Sequence, residues 1–242
     1  MSEALSNRRA VVTGASKGIG FAIAQALLTA GADVIICGRD PKQVKAAVSR
    51  LSKTAPDRKV AGHATDVSSS EQVAGLFRFV DEQFGGLDIL INNAGFGIFR
   101  AAAELSIQEW DRLIGTNLSG AFYCSREALE RFKQSRGGWI INISSLAGKN
   151  PFAGGAGYNA SKFGLNGFTE AMMMDHRYDN VRVSYIMPGS VDTEFAGEQA
   201  SKRSDWKIAP EDIAEIVLGI LKMPERTLIS RVEVRPSRPQ KN

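Results

Sequence analysis

Cysteine and histidine are nearly missing from this sequence, with two of each in 242 residues. Cys37 sits in an apolar run, Cys124 falls in a helical pattern, and His63 and His176 stand apart. That spacing builds neither a disulfide framework nor a metal site. No stretch approaches the ~18 apolar residues that a membrane span requires, and the opening MSEALSNRRAVVTG has no apolar signal core. Only eight prolines occur, and no Pro/Gly-rich linker, repeat or low-complexity tract divides the chain. The excess of 30 Lys and Arg over 26 Asp and Glu is dispersed rather than gathered, which argues against a nucleic-acid surface. These absences leave a metal-free, cytoplasmic chain with neither membrane nor nucleic acid as a partner. One domain over residues 1–242 is expected.

What is present is a rhythm. Short β-branched runs (RAVVTG, DVIICG, KVAGHAT, LDILINN, WIINIS, VRVSYI, LISRVEV) alternate with segments of helical period such as 18–30, 69–84 and 106–133. Seven strands separated by helices predict a mostly parallel sheet with helices on both faces, the doubly wound Rossmann-type α/β fold.

Glycine, at 24 residues, clusters after the first strand in TGASKGIG, where Gly14, Gly18 and Gly20 lie. Missing side chains let the backbone turn sharply and let a pyrophosphate approach a helix N-terminus, so the loop reads as a dinucleotide site. After the second strand comes CGRDPK, where an acid would grip ribose hydroxyls but Arg39 stands instead. Its guanidinium, with Lys17, suits a 2′-phosphate and hence NADP(H). Asp40 followed by Pro41 reads as a helix start.

In GGAGYNASKFG, Tyr158 and Lys162 are four residues apart, stacked by one helical turn. A phenol is a poor base at neutral pH, and a neighbouring ammonium favours its ionised form, so the pair makes an acid/base group. Ser145, at the end of WIINIS, is placed to donate to a carbonyl oxygen, with Ser144 as the rival for that role.

Taken in order, TGASKGIG at 13–20, DV at 66–67, NNAG at 92–95, Asn117, SS at 144–145, YNASK at 158–162 and PG at 188–189 resemble the short-chain dehydrogenase/reductase family over nearly the whole chain. The resemblance implies a catalytic tetrad of Asn117, Ser145, Tyr158 and Lys162. In it Lys162 also binds the nicotinamide ribose, and Asn117 holds a water linking Lys162 to solvent, unless Asn117 is only a buried, helix-bending amide. It further implies a cofactor set of Gly14, Ser16, Lys17, Gly18, Ile19, Gly20, Arg39, Asp66, Val67, Asn93, Ala94, Gly95, Tyr158, Lys162, Pro188, Gly189, Val191 and Thr193. Asn93 has the alternative of knitting adjacent strands.

Adjacency to the motifs nominates Phe96, Ile98, Leu146, Phe152, Met187, Phe195 and Trp206 for the substrate, under a short lid at about 190–209. Lys202, Arg203 and Lys207 in that lid offer charge to an anionic handle. The expected activity is NADP(H)-dependent reduction of a carbonyl, 3-oxoacyl thioesters included. The alternatives are a 3-hydroxy acid dehydrogenase and, in a different class, a noncatalytic NADP(H)-sensing interaction protein. Apolar residues lie on more than one face of the helical segments at 106–133 and 157–178, and the resemblance implies that these helices pair across two-fold axes in a homotetramer, or else a dimer.

Overall fold

The computed structural model describes residues 4–135, 137–195 and 205–239. Strands β1 (Arg9–Val12), β2 (Asp33–Gly38), β3 (Val60–Ala64), β4 (Ile89–Asn92), β5 (Gly138–Ile143), β6 (Val181–Pro188) and β7 (Arg231–Val234) form one sheet in the order 3-2-1-4-5-6-7. All six pairings are parallel, as the alternation of strands and helices requires.

The two-residue period of the strands sorts their side chains into two layers. Ala10, Val12, Val34 and Ile36 face α1 (Gly18–Thr29), α2 (Pro41–Thr54) and α7 (Pro210–Leu221). Val11, Ile35 and Cys37 face α3 (Ser70–Phe84), the helix α5 (Gly120–Ser135) and α6 (Ala156–His176). Cys37 and Cys124 both lie in that second layer as free, buried thiols, and burial raises both above the usual thiol value. No helix among the described residues is long and apolar enough to cross a membrane.

The helical segment expected over 106–133 is broken. It comprises α4 (Ile107–Ile114), a π turn (Gly115–Ser119) and α5. The wider turn places the Asn117 amide inside the protein, where Phe96 and Ser161 take its hydrogen bonds. A polar residue drawn into tertiary contacts has overridden the regular period.

β1 and β4 are adjacent although β2 and β3 intervene in sequence, so connections leave the sheet centre in opposite directions. A crevice opens there, beyond the carboxyl ends of the strands.

Candidate functional site

The crevice is a cleft of about 1380 Å³ running from Arg39 and Asp40, past the glycine loop, to Ser145, Tyr158 and Trp206. Its first wall is backbone. Gly14 has φ +63, and a Cβ there would come within 2.7 Å of the Ala94 Cα, so neither the turn nor the strand contact tolerates a side chain. Helix α1 begins at once, and its N-cap, Lys17, provides no side-chain hydrogen bond to the first turn. Helices α2, α3 and α4 do receive such bonds, from Asp40, Ser69 and Ser106, and Asp212 accepts from the Ala209 N–H at the start of α7. An uncapped N-terminus beside a glycine-rich loop suits the pyrophosphate of a dinucleotide.

Gly20 departs from the expected cofactor set because it does not line the cleft. A Cβ there would lie 2.7 Å from the Gly14 carbonyl oxygen and strike the Asn93 amide, so this glycine lets the helix seat against the loop. Gly14, Ser16, Lys17, Gly18, Ile19 and Arg39 all line the cleft, as do Asp66, Val67, Asn93, Ala94, Gly95, Pro188, Gly189, Val191 and Thr193. Asn93, just after β4, does knit that strand's end to the turn after β1, donating to the carbonyls of Thr13 and Gly14 at 2.9 and 3.0 Å. Asp66 is tied to Ser68.

The two cations meant for a phosphate are not equally placed. Arg39 is exposed at the rim, whereas Lys17 forms a 2.6 Å ion pair with Glu194 across the cleft. Asp40 accepts from the N–H groups of Lys42 and Gln43 and caps α2, leaving Arg39 as the exposed cation of that strand end.

At the other end of the cleft the paired serines separate. Ser144 is buried, and its hydroxyl donates to Asn166 Oδ1. Ser145 caps a 3-10 turn (Leu146–Gly148), accepting from the Ala147 N–H at 3.1 Å, and its hydroxyl hydrogen-bonds the Tyr158 phenol. Tyr158 enters from the first turn of α6 and Lys162 from the next. The Lys162 ammonium is buried, donates to the Ile143 carbonyl at 3.0 Å, and lies 5.9 Å from the Tyr158 ring centroid.

Burial pushes the Tyr158 phenol above its usual value, and the Ser145 hydrogen bond only partly opposes this. The same burial lowers Lys162 to about 8. At neutral pH the pair is therefore a neutral phenol beside a largely protonated amine.

Asn117 lies behind the cleft wall. Its Oδ1 accepts from the Phe96 N–H, and its Nδ2 donates to the Phe96 carbonyl and to Ser161 Oγ, each at 3.0 Å. Both amide donors are spent within the protein.

Of the substrate candidates, Phe96, Leu146, Phe152, Phe195 and Trp206 line the cleft. Met187 does not. It is buried in β6, with its sulfur accepting from Asn166. Ile98 instead packs behind Tyr158 with Leu113 and Ala147. The extended strand end fixes Met187 by alternation, and the irregular segment after Asn92 turns Ile98 inward and Phe99 to the cleft. Phe99 and Glu194 were missed, and their closeness to the NNAG and PG motifs was the only signal. Lys207 lines the cleft, while Lys202 and Arg203 lie outside the described residues, as does the middle of the 190–209 lid. Among the described residues no three His, Cys, Asp or Glu side chains gather as a metal site requires.

Known proteins resemble this chain in sequence and fold. The short chain dehydrogenase family model matches residues 8–204. A Staphylococcus aureus (strain USA300) protein, named as an uncharacterized oxidoreductase, is 34% identical over 233 residues, covering 96% of this chain and 98% of its own. Among solved structures, a metagenomic short-chain oxidoreductase in complex with NADP is 39% identical, with a TM-score of 0.84 over 97% of this chain and 99% of its own. An alcohol dehydrogenase from the archaeon Thermococcus sibiricus, complexed with 5-hydroxy-NADP, is 30% identical, with a TM-score of 0.90 over the same shares. Sequence and fold agree along nearly the whole chain, and it belongs to the short chain dehydrogenases.

Proposed function

We propose that the chain is an NADP(H)-dependent carbonyl reductase, or secondary-alcohol dehydrogenase in the reverse direction, acting on CH–OH donors. The observation that carries this is Tyr158, hydrogen-bonded by Ser145 and one helical turn from buried Lys162, in a cleft continuous with the glycine loop. A bound nicotinamide would supply the hydride. Tyr158 keeps its proton at neutral pH and gives it to the carbonyl oxygen, while Ser145 donates a hydrogen bond to that oxygen. Lys162, held by Ile143, keeps a positive charge beside the phenol as it loses its proton and has donors left for the nicotinamide ribose. Asn117 positions Phe96 and Ser161 beneath them.

Arg39 supports the phosphorylated cofactor, and the NADP and 5-hydroxy-NADP of the two structural neighbours support the same choice. A sensor has no use for a buried amine beside a phenol, so the noncatalytic reading is the weaker one.

The test is initial-rate oxidation of NADPH and NADH with a carbonyl panel at neutral pH, with Tyr158→Phe as control. We expect NADPH-dependent turnover that falls on the order of 10³-fold in the control, while NADPH binding persists. Turnover unaffected by Tyr158→Phe would reject the assignment.

The half-exposed Phe122, Phe163 and Met174 on α5 and α6 favour a homotetramer through these helices, the alternative being a dimer. Light scattering that finds only a monomer would refute both. The free buried thiols fit a reducing compartment, and the cytoplasm is the proposed location.

A further inference from the structure

Around Tyr158 the cleft is walled by rings. Phe99 stands edge-on to Tyr158, with ring centroids 5.5 Å apart and planes at 87°. The same Phe99 meets Phe152 at 5.5 Å and 69°. Phe195 meets Tyr158 at 5.7 Å and 62°. These separations and tilts lie where the positive edge of one ring faces the negative face of another. Yet the cluster is unfinished, because Phe99 is 48% exposed and Phe152 44%. Large apolar side chains bare to a cleft gain by covering their surface, at roughly 25 cal/mol for each Å² buried.

Charge at this end of the cleft points the same way. A carboxylate substrate needs a cation beside the phenol, and the described cations lining this end are Lys162 and Lys207. Lys162 is turned to the Ile143 carbonyl and buried. The Lys207 ammonium lies over the Trp206 ring, 5.9 Å from its centroid. The site presents ring faces and edges to its guest and keeps its described cations engaged elsewhere.

Resting on the reductase reading above, we infer that the substrate is a carbonyl compound bearing an aromatic ring, which completes the Phe99, Phe152 and Phe195 cluster while its carbonyl meets Tyr158 and Ser145. In the reaction the carbonyl carbon gains the hydride from NADPH and the oxygen gains the Tyr158 proton. The products are a secondary alcohol and NADP⁺, and solvent reprotonates the phenolate.

The experiment compares kcat/KM, with NADPH, for phenylacetone, cyclohexylacetone, acetoacetate and an acetoacetyl thioester. The first two ketones have the same carbon skeleton size and an unconjugated carbonyl, so they differ in the ring's electrons rather than in reach. Each ring pair contributes a few-fold, so phenylacetone is expected to exceed cyclohexylacetone about tenfold. In a Phe99→Leu/Phe152→Leu double variant the ratio should fall towards one. The wild-type ratio stands alone if that variant does not fold. Equal or better use of cyclohexylacetone overturns the inference in favour of a merely apolar site. Preference for acetoacetate or the thioester overturns it in favour of a polar handle, with the reductase reading intact. No NADPH-dependent turnover of any of the four overturns the inference, and the reductase reading falls with it only if the wider carbonyl panel is also inert.

Discussion

The two ends of the cleft are built from different materials. At the dinucleotide end the wall is backbone: Gly14 and Gly18 at positive φ, an uncapped helix start, and carbonyls knitted by Asn93. At the substrate end the wall is side chain: Phe99, Phe152, Phe195 and Trp206 around Tyr158. The backbone of a tight glycine turn cannot be varied piecemeal, whereas a cluster of rings is built from separate side chains and can be exchanged one residue at a time. Such a division holds a cofactor constant while allowing the guest to change.

The largest effect should come from forcing a side chain into the backbone end. Gly14→Ala places a Cβ 2.7 Å from the Ala94 Cα at a φ of +63. The combined strain is about 3 kcal/mol or more. Thermal melting should fall by roughly 6 to 12 °C, with NADPH binding lost. Gly219→Ala, in α7 where nothing lies within 4 Å of the new methyl, should instead hold or gain up to about 1 kcal/mol. Equal melting temperatures for the two variants would show that the glycine loop does not owe its form to that close approach.

The same division explains how much was legible beforehand. The parallel sheet, the glycine loop and the Asp40 cap followed from local chemistry, because a strand's period, a turn's φ and a cap's reach each depend on a few adjacent residues. The Tyr158 and Lys162 pair was legible as a spacing, but its protonation was not, since burial is a property of the whole fold. Met187, Ile98 and Phe99 show the same limit at the substrate end. Closeness to a motif places a residue near the site, and only tertiary packing decides whether it turns towards it. The π turn at Asn117 was hidden for that reason too, as its cause lies in Phe96 and Ser161, 21 and 44 residues away in sequence.

Lys162 joins the two ends, and its buried amine gives the next effect in size. Its pKa is about 8 in the folded chain and about 10.4 unfolded, so between these values the unfolded chain binds more protons and stability rises with pH. The cost of the buried charge is fully present below pH 8 and is relieved as pH climbs towards 10.4. Relative to Lys162→Met, the cofactor-free wild type should gain about 2 kcal/mol between pH 7 and 9.5, read from paired denaturant melts. Parallel pH profiles for the two proteins would mean that the amine is solvated.

A smaller effect separates neighbours at the outer edge of the dinucleotide end. Arg39→Asp puts a negative charge where a 2′-phosphate should lie, and the NADPH to NADH ratio of kcat/KM should fall at least about tenfold, near 1.4 kcal/mol. An unchanged ratio would leave the preference to Lys17, which would have to give up its ion pair with Glu194 to supply it.

Asp40, one residue further, should behave in the opposite manner. Its carboxylate accepts the Lys42 and Gln43 N–H groups at 2.8 and 3.3 Å, so its work is done within α2. Asp40→Ala removes the cap at a cost of about 1 kcal/mol, a melting decrease of roughly 2 to 4 °C, while the cofactor ratio stays where it was. Asp40→Asn keeps an acceptor for the same N–H groups and should recover most of the loss, because asparagine caps nearly as well. If Asp40→Ala instead shifted the cofactor ratio as far as Arg39→Asp and left the melt alone, the carboxylate would be facing the ribose. The boundary between the part of the chain that builds the helix and the part that reads the cofactor would then fall after Asp40 rather than before it.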